Sequence, residues 1–125
     1  MILVLFGPPG SGKGTQAKLL SERFKVPHIS LGDLLREAVR DKTKVGKLAA
    51  KYLDKGLLVP DEVVNELARE RYAKPDCQSG FILDGYPRTI AQAEFLGQVD
   101  KVIYLKIPLS EAIKRLSERR SCERC

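Results

Sequence analysis

Five apolar residues, ILVLF at positions 2–6, run straight into the glycine-rich stretch GPPGSGKGT at 7–15, which leads into QAKLLSERF with apolar residues at helical spacing. An unbroken apolar pentapeptide reads as a strand buried on both faces, as inside a parallel sheet. The glycine loop therefore sits between a strand and a helix. In that position successive backbone N–H groups can wrap a phosphate chain, the helix N-terminus adds positive field, and Lys13 supplies a point charge for the outer phosphates. Glycines suit the loop because side chains would block the approach. A plain Gly/Pro turn is the alternative, but the ordered glycines, the lysine and the flanking elements together favour phosphate binding. One irregularity stands out. The pattern G-x-x-x-x-G-K-[ST] puts a hydroxyl after the lysine, whereas here Gly14 follows Lys13 and the hydroxyl of Thr15 comes one place late.

The rest of the chain alternates in the same way. Short apolar strands are expected at 2–6, 28–30, 80–84 and 101–107, separated by helical patterns near 13–24, 31–41, 44–55, 61–73, 89–96 and 110–120. That order predicts an α/β fold with a mainly parallel sheet and crossover helices. Ser30 with Asp33 forms a candidate capping box, Gly56 can close the third helix, and Pro60-Asp61 can start the fourth. The extra helix pair between the second and third strands reads as a small insertion, residues 30–59, beside the sheet.

A length of 125 residues with 43% apolar content suits one domain with a real core. No apolar run is long enough to span a membrane and the N-terminus has no signal-peptide pattern, so the chain reads as cytoplasmic. The net charge of +6 suits a polyanionic ligand. Aromatic residues are not interleaved with the basic ones as in a nucleic-acid stacking surface, and a nucleotide accounts for the charge equally well. Cys77 reads as a packed or loop thiol.

The stretch FILDGYPRT at 81–89 carries the second signal. Asp84 falls at the carboxyl end of a buried strand, where ligands of open parallel sheets bind. A carboxylate there can hold the waters of a Mg2+ ion bridging nucleotide phosphates, and Arg88 offers a bidentate fork for a phosphate. Taken alone, the stretch would read as a D-G turn with a surface arginine. No Ser-His-Asp set is visible, and the sole histidine, His28, is expected to be a satisfied structural residue.

The segments GPPGSGKGTQA, HISLGDLLR, GLLVPDEVV, FILDGYPRTIAQA and RLSERRSCERC follow the order and spacing of the adenylate kinases, and the resemblance covers essentially the whole chain. It implies the three-layer α/β fold of the P-loop NTP hydrolases, with sheet order 2-3-1-4 and the family's fifth strand missing. It divides the chain into a core, 1–29 and 60–117, a nucleoside-monophosphate-binding insertion, 30–59, and the start of a lid, 118–125. It also implies reversible phosphoryl transfer, ATP plus AMP giving two ADP, with Mg2+. The late hydroxyl then looks like a trait of this family. By resemblance, Gly10, Ser11, Gly12, Lys13, Gly14 and Thr15 cradle the ATP phosphates, and Asp84 holds the metal through water. Arg36 and Arg88 grip the AMP phosphate. Leu31, Leu57, Leu58, Val59, Gly85, Tyr86 and Pro87 line the AMP pocket, and Gln92 reads the adenine edge. Arg115 and Arg119, four apart on one helical face, meet the transferring phosphoryl group, Arg119 from the ATP side. ATP and AMP are the implied partners of a monomeric intact protein, without nucleic acid or membrane.

Two positions depart from the family's pattern. Position 31 is Leu where adenylate kinases usually carry Thr, which leaves a CMP/UMP-type kinase as the runner-up. A non-catalytic nucleotide-binding fragment and a basic or zinc-dependent interaction protein are rivals of other classes. The resemblance further implies that Cys122 and Cys125 are half of a structural Zn2+ site, completed by a second C-x2-C pair in a lid, since such zinc takes four ligands. The chain stops at Cys125. An N-terminal fragment of reduced stability and turnover is therefore expected, with KVIYLKI at 101–107 as an exposed apolar edge.

Overall fold

Four apolar segments form one sheet in a computed structural model that describes residues 1–120, 122 and 124. The elements run β1 (Ile2–Phe6), α1 (Lys13–Phe24), β2 (His28–Ser30), α2 (Leu31–Arg40), α3 (Lys44–Leu53), α4 (Asp61–Tyr72), a 3-10 turn at Pro75–Cys77, β3 (Phe81–Asp84), α5 (Ile90–Leu96), β4 (Lys101–Tyr104) and α6 (Leu109–Ser117). All strand pairs are parallel, as the alternation of elements predicts, and the order is β2-β3-β1-β4, as the family resemblance implied. Each connection between parallel neighbours has to cross over the sheet, which is why helices separate the strands.

Alternation along the strands divides the core in two. Leu3, Leu5 and Ile82 join Ala17 of α1 and Val26 on one side, while Val4, Phe81 and Leu83 join Ile29, Val64, Ala68 and Tyr86 on the other. These side chains face helices on both sides of the sheet, which is why the strands read as unbroken apolar runs rather than alternating ones. The ring of Phe81 stacks on Tyr72 of α4, with centroids 5.3 Å apart. Leu31, Ala49 and Val59 belong to the same cluster as Val4 and Leu83, so the insertion at 30–59 shares the core of the sheet.

Several boundaries have local causes. Thr43 caps α3, accepting a hydrogen bond from Gly46 N at 2.9 Å. The expected capping box at α2 is half made: Ser30 accepts from Asp33 N at 3.4 Å, but the Asp33 carboxylate pairs with Arg36. That ion pair competes for the carboxylate that would otherwise return a bond to the cap. After α3 the chain turns through Gly56, at φ +66, where Leu57 N donates to Tyr52 O at 2.9 Å. Gly46 permits the closest helix approach: a Cβ there would collide with the Ala38 carbonyl of α2 and lie 2.8 Å from Val39 N. Several elements are shorter than predicted, most of all β4 and α6 at their C-terminal ends. β4 ends at Tyr104, opposite Phe6, because β1 has no further residue to pair with it. α6 ends at Ser117, two residues before Arg119. As expected, Cys77 is buried and β4 is an exposed edge of the sheet.

Candidate functional site

The carboxyl ends of β1 and β3 open into a cleft of about 880 Å³ between the glycine loop, the start of α2 and the chain around α6. The loop turns on a bond from Ser11 N to Pro8 O at 3.1 Å, and Gly10 and Gly12 take positive φ. Gly12 is the residue before α1, and no side chain caps the helix. Its first turn also carries no acidic residue. No side chain spends the orphan N–H groups and positive end of α1, an arrangement that favours an anion there.

Lys13, Lys18, Arg36, Arg88, Arg115 and Arg119 line the cleft, against the carboxylates Asp33 and Asp84. Six cations against two anions give it a positive field suited to a polyphosphate. Several cations are held by the backbone. Lys13 Nζ donates to Pro8 O at 3.3 Å, Arg88 Nε to Gly85 O at 2.8 Å, and one terminal nitrogen of Arg115 to Gly10 O at 3.2 Å. Arg115 also pairs with Glu111 at 2.9 Å, which ties α6 to the loop through one side chain. Arg36 pairs with Asp33, and that hydrogen bond holds the Asp33 carboxyl below its usual range.

Of the expected phosphate and metal residues, the structure gathers Gly10, Gly12, Lys13, Gly14, Thr15, Arg36, Asp84, Arg88, Arg115 and Arg119 around this cleft. Arg119 reaches it from beyond the end of α6, so a shared helical face is not what brings the two arginines together. Ser11 is buried and its hydroxyl has no partner among the described residues. Asp84 and Gly14 face each other: a Cβ on Gly14 would lie 3.4 Å from Asp84 Oδ2. A side chain at position 14 would therefore start out in van der Waals contact with that carboxylate.

The expected AMP-side residues divide. Gly85 and Arg88 line the cleft, and Leu57 and Leu58 are exposed. Leu31 is 3% exposed and Val59 is also buried, both within the core. Pro87 and Gly85 line an adjoining chamber of about 580 Å³ with Phe6, Pro9 and Ile90. Gln92 and Tyr86 are buried in a polar network. Gln92 Nε2 donates to Asp61 Oδ1 at 2.7 Å, and its Oε1 accepts from Arg88 N at 2.7 Å. Thr89 Oγ1 also donates to Asp61, at 3.1 Å, and Tyr86 donates its hydroxyl to Asn65 Oδ1 at 2.7 Å. Burial pushes the Tyr86 phenol up to about 12. The network anchors the arginine-bearing loop to α4.

Sequence reasoning missed Lys18 and Asp33 as cleft residues, and it read Asp61 only as a helix starter. The lysine could have been found as a second cation on the helix that opens at Lys13. The reading of His28 as satisfied is corrected: Nε2 is buried and has no hydrogen-bond partner among the described residues, and it stands 3.5 Å from Asp84 Oδ2. Cys125 lies outside the described residues. Among the described residues no group of three or more His, Cys, Asp or Glu could hold a metal, and no helix is long and apolar enough to cross a membrane.

A parallel sheet in this order, with a glycine loop between its central strand and the following helix and a carboxylate on the neighbouring strand, defines a P-loop protein of the kinase type. Comparison with known proteins narrows the class. Residues 5–123 match the family described as "Adenylate kinase". The chain is 53% identical to an adenylate kinase of Caldicellulosiruptor bescii, 53% to one of Archaeoglobus fulgidus and 54% to one of Citrifermentans bemidjiense, over the whole of this chain. It spans 62%, 61% and 62% of their respective lengths. The chain belongs to the adenylate kinase family.

Proposed function

We propose that the protein transfers a phosphoryl group reversibly between ATP and AMP, giving two ADP. The observation that carries this reading is the convergence of six cations and the uncapped start of α1 on one cleft. The nucleophile needs no general base: the second pKa of a phosphate monoester is about 6, so the AMP oxygen is already ionised at neutral pH. It forms a bond to the γ-phosphorus as the bond from that phosphorus to the β-bridging oxygen breaks. The protein must align two highly charged groups in line and offset their repulsion.

In this reading the loop 10–15 wraps the ATP phosphates and Lys13 reaches their outer oxygens. Arg36 and Arg88 hold the AMP phosphate, while Arg115 and Arg119 meet the group in transit. Leu57, Leu58, Val59, Gly85, Tyr86 and Pro87 shape the AMP side, directly or by holding its walls. Gln92 reads a base edge by exchanging its bond to Asp61. Leu31, packed in the core, gives no support to a pyrimidine preference. The cleft suits Mg2+ held through water: Asp84 is an oxygen donor at a strand end beside a glycine. When bound, Mg2+ neutralises charge on the bridging phosphate oxygens. Zn2+ has two candidate thiolates in Cys122 and Cys125, and needs two further ligands. We assign 1–29 and 60–117 to the core, 30–59 to AMP binding and 118–125 to the start of a lid, in a cytoplasmic protein that is monomeric when intact and binds neither nucleic acid nor membrane.

Incubation with Mg-ATP and, separately, AMP, GMP, CMP and UMP, with chromatography of the diphosphates, tests the reading. ADP gain confined to AMP supports it. CDP or UDP would move the protein to the pyrimidine kinases, and ATP binding without transfer to any acceptor would make it a nucleotide-binding module.

A further inference from the structure

We propose that His28 is a positioning residue that holds the Asp84 carboxylate in place, through Oδ2, for the water shell of a phosphate-bound divalent cation. The inference rests on the reading of Asp84 given above and goes beyond it, because it gives the only histidine of the chain a task.

The strand register places the two residues together. In the parallel pair of β2 and β3, His28 stands opposite Ile82 and Ser30 opposite Asp84. Side chains two apart on a strand share a face, so His28 is the diagonal neighbour of Asp84, within reach of a long side chain. His28 Nε2 lies 3.5 Å from Asp84 Oδ2. The same Oδ2 atom is the one a Cβ on Gly14 would approach at 3.4 Å. Oδ2 therefore lies between the imidazole and the start of α1, and His28, Gly14 and Asp84 all line the cleft.

Two further observations mark this arrangement as unfinished. His28 Nε2 is buried without a hydrogen-bond partner, and the Asp84 carboxylate accepts no hydrogen bond among the described residues. A buried donor and a carboxylate without donors, this close together, complete each other by a shift of a few tenths of an ångström into the N–H···O range of about 2.7–3.2 Å. The donation needs no change of charge, since the ring carries a hydrogen on Nε2 in its cationic form and in the matching neutral tautomer. Fixing a metal-facing carboxylate by a hydrogen bond is how outer groups tune metal sites, and losing one typically costs about 10- to 100-fold in affinity.

The test compares the 125-residue chain with His28→Gln, which keeps a side-chain N–H donor, and His28→Leu, which keeps bulk alone. ATP affinity is measured by calorimetry in EDTA and across a series of free Mg2+ concentrations, beside the melting temperature of each protein. We expect equal ATP affinity in EDTA for all three. The half-effective Mg2+ concentration should rise roughly tenfold in the Leu variant and return to within about threefold of wild type in the Gln variant. Unchanged Mg2+ dependence in the Leu variant overturns the proposal. So does a folded Gln variant that behaves like Leu, or a Leu variant that loses ATP affinity equally with and without Mg2+.

Wild-type protein that binds ATP with no response to Mg2+ would instead sink the reading of Asp84 itself. A measurement independent of variant folding is the long-range 1H–15N spectrum of the wild-type protein at alkaline pH, where a single histidine needs no assignment. Hydrogen on Nε2 is expected, and hydrogen on Nδ1 overturns the proposal.

Discussion

β3 and β4 flank the same strand, both pair with it in parallel, and both are four-residue apolar segments, yet they have opposite surroundings. Ile82 of β3 is completely buried, whereas Val102 and Tyr104 of β4 are 57% and 66% exposed. The difference lies in what is laid over them. β3 has β2 on its other side and is packed by α1 on one face and by the α4 cluster on the other. β4 is the sheet edge, exposed along all four residues. An apolar run thus specifies that a segment can be a strand, and its neighbours decide how much that strand contributes to stability.

The sharpest way to break this comparison is to truncate both strands. Ile82→Ala should lower the unfolding free energy by about 2–5 kcal/mol, and Val102→Ala by under about 0.5 kcal/mol, read from urea midpoints at constant slope. Equal losses would mean that β4 is covered in solution. Polar contacts should follow the same division. Gln92→Leu removes the Nε2 donor to Asp61, leaving Thr89 Oγ1 on that carboxylate, and takes the acceptor from the Arg88 N–H, and should cost about 1–3 kcal/mol. Arg69→Ala, which removes only an exposed pair with Glu66, should cost under about 1 kcal/mol.

A third measurement sharpens the buried side alone. Burial raises the Tyr86 phenol in the folded state to about 12, from an ordinary tyrosine value of about 10. Between those values the unfolded chain has lost a proton that the folded one keeps, so stability is full below pH 10 and falls as pH rises toward 12. The slope should approach about 1.4 kcal/mol per pH unit, and Tyr86→Phe should remove that component of the alkaline melting curve. A modest effect is expected at a helix end. Thr43→Ala should cost about 1 kcal/mol, and Ser30→Ala less, because the Ser30 cap bond is 3.4 Å against 2.9 Å for Thr43.

The same division explains what was legible in the sequence. The phosphate loop, its strand and its helix are contiguous, so glycine spacing and apolar period were enough to find them. Strand order came through the family resemblance, and the structure agrees with it. Features that depend on strand register or on competing partners were not legible. His28 meets Asp84 only because β2 and β3 pair as they do. Asp33 leaves its capping role because Arg36 is one helical turn away. Gln92 is held by Asp61, 31 residues distant, a contact that no local pattern encodes. The early end of α6 escaped because Glu118, Arg119 and Arg120, all ready helix formers, continue past Ser117 without a Gly or Pro breaker.

The contact at Gly46 has a mechanical consequence. With backbone set against backbone and no side chain between them, α2 and α3 form a lever with little internal slack. A displacement at the tip around Thr43 is transmitted along the lever instead of being absorbed by sliding one helix over the other. Rotation is then concentrated at the two roots, one beside β2 and the other at Gly56, where even an added Cβ would meet nothing within 4 Å. A small angular change there carries Arg36 through an arc as part of one stiff body.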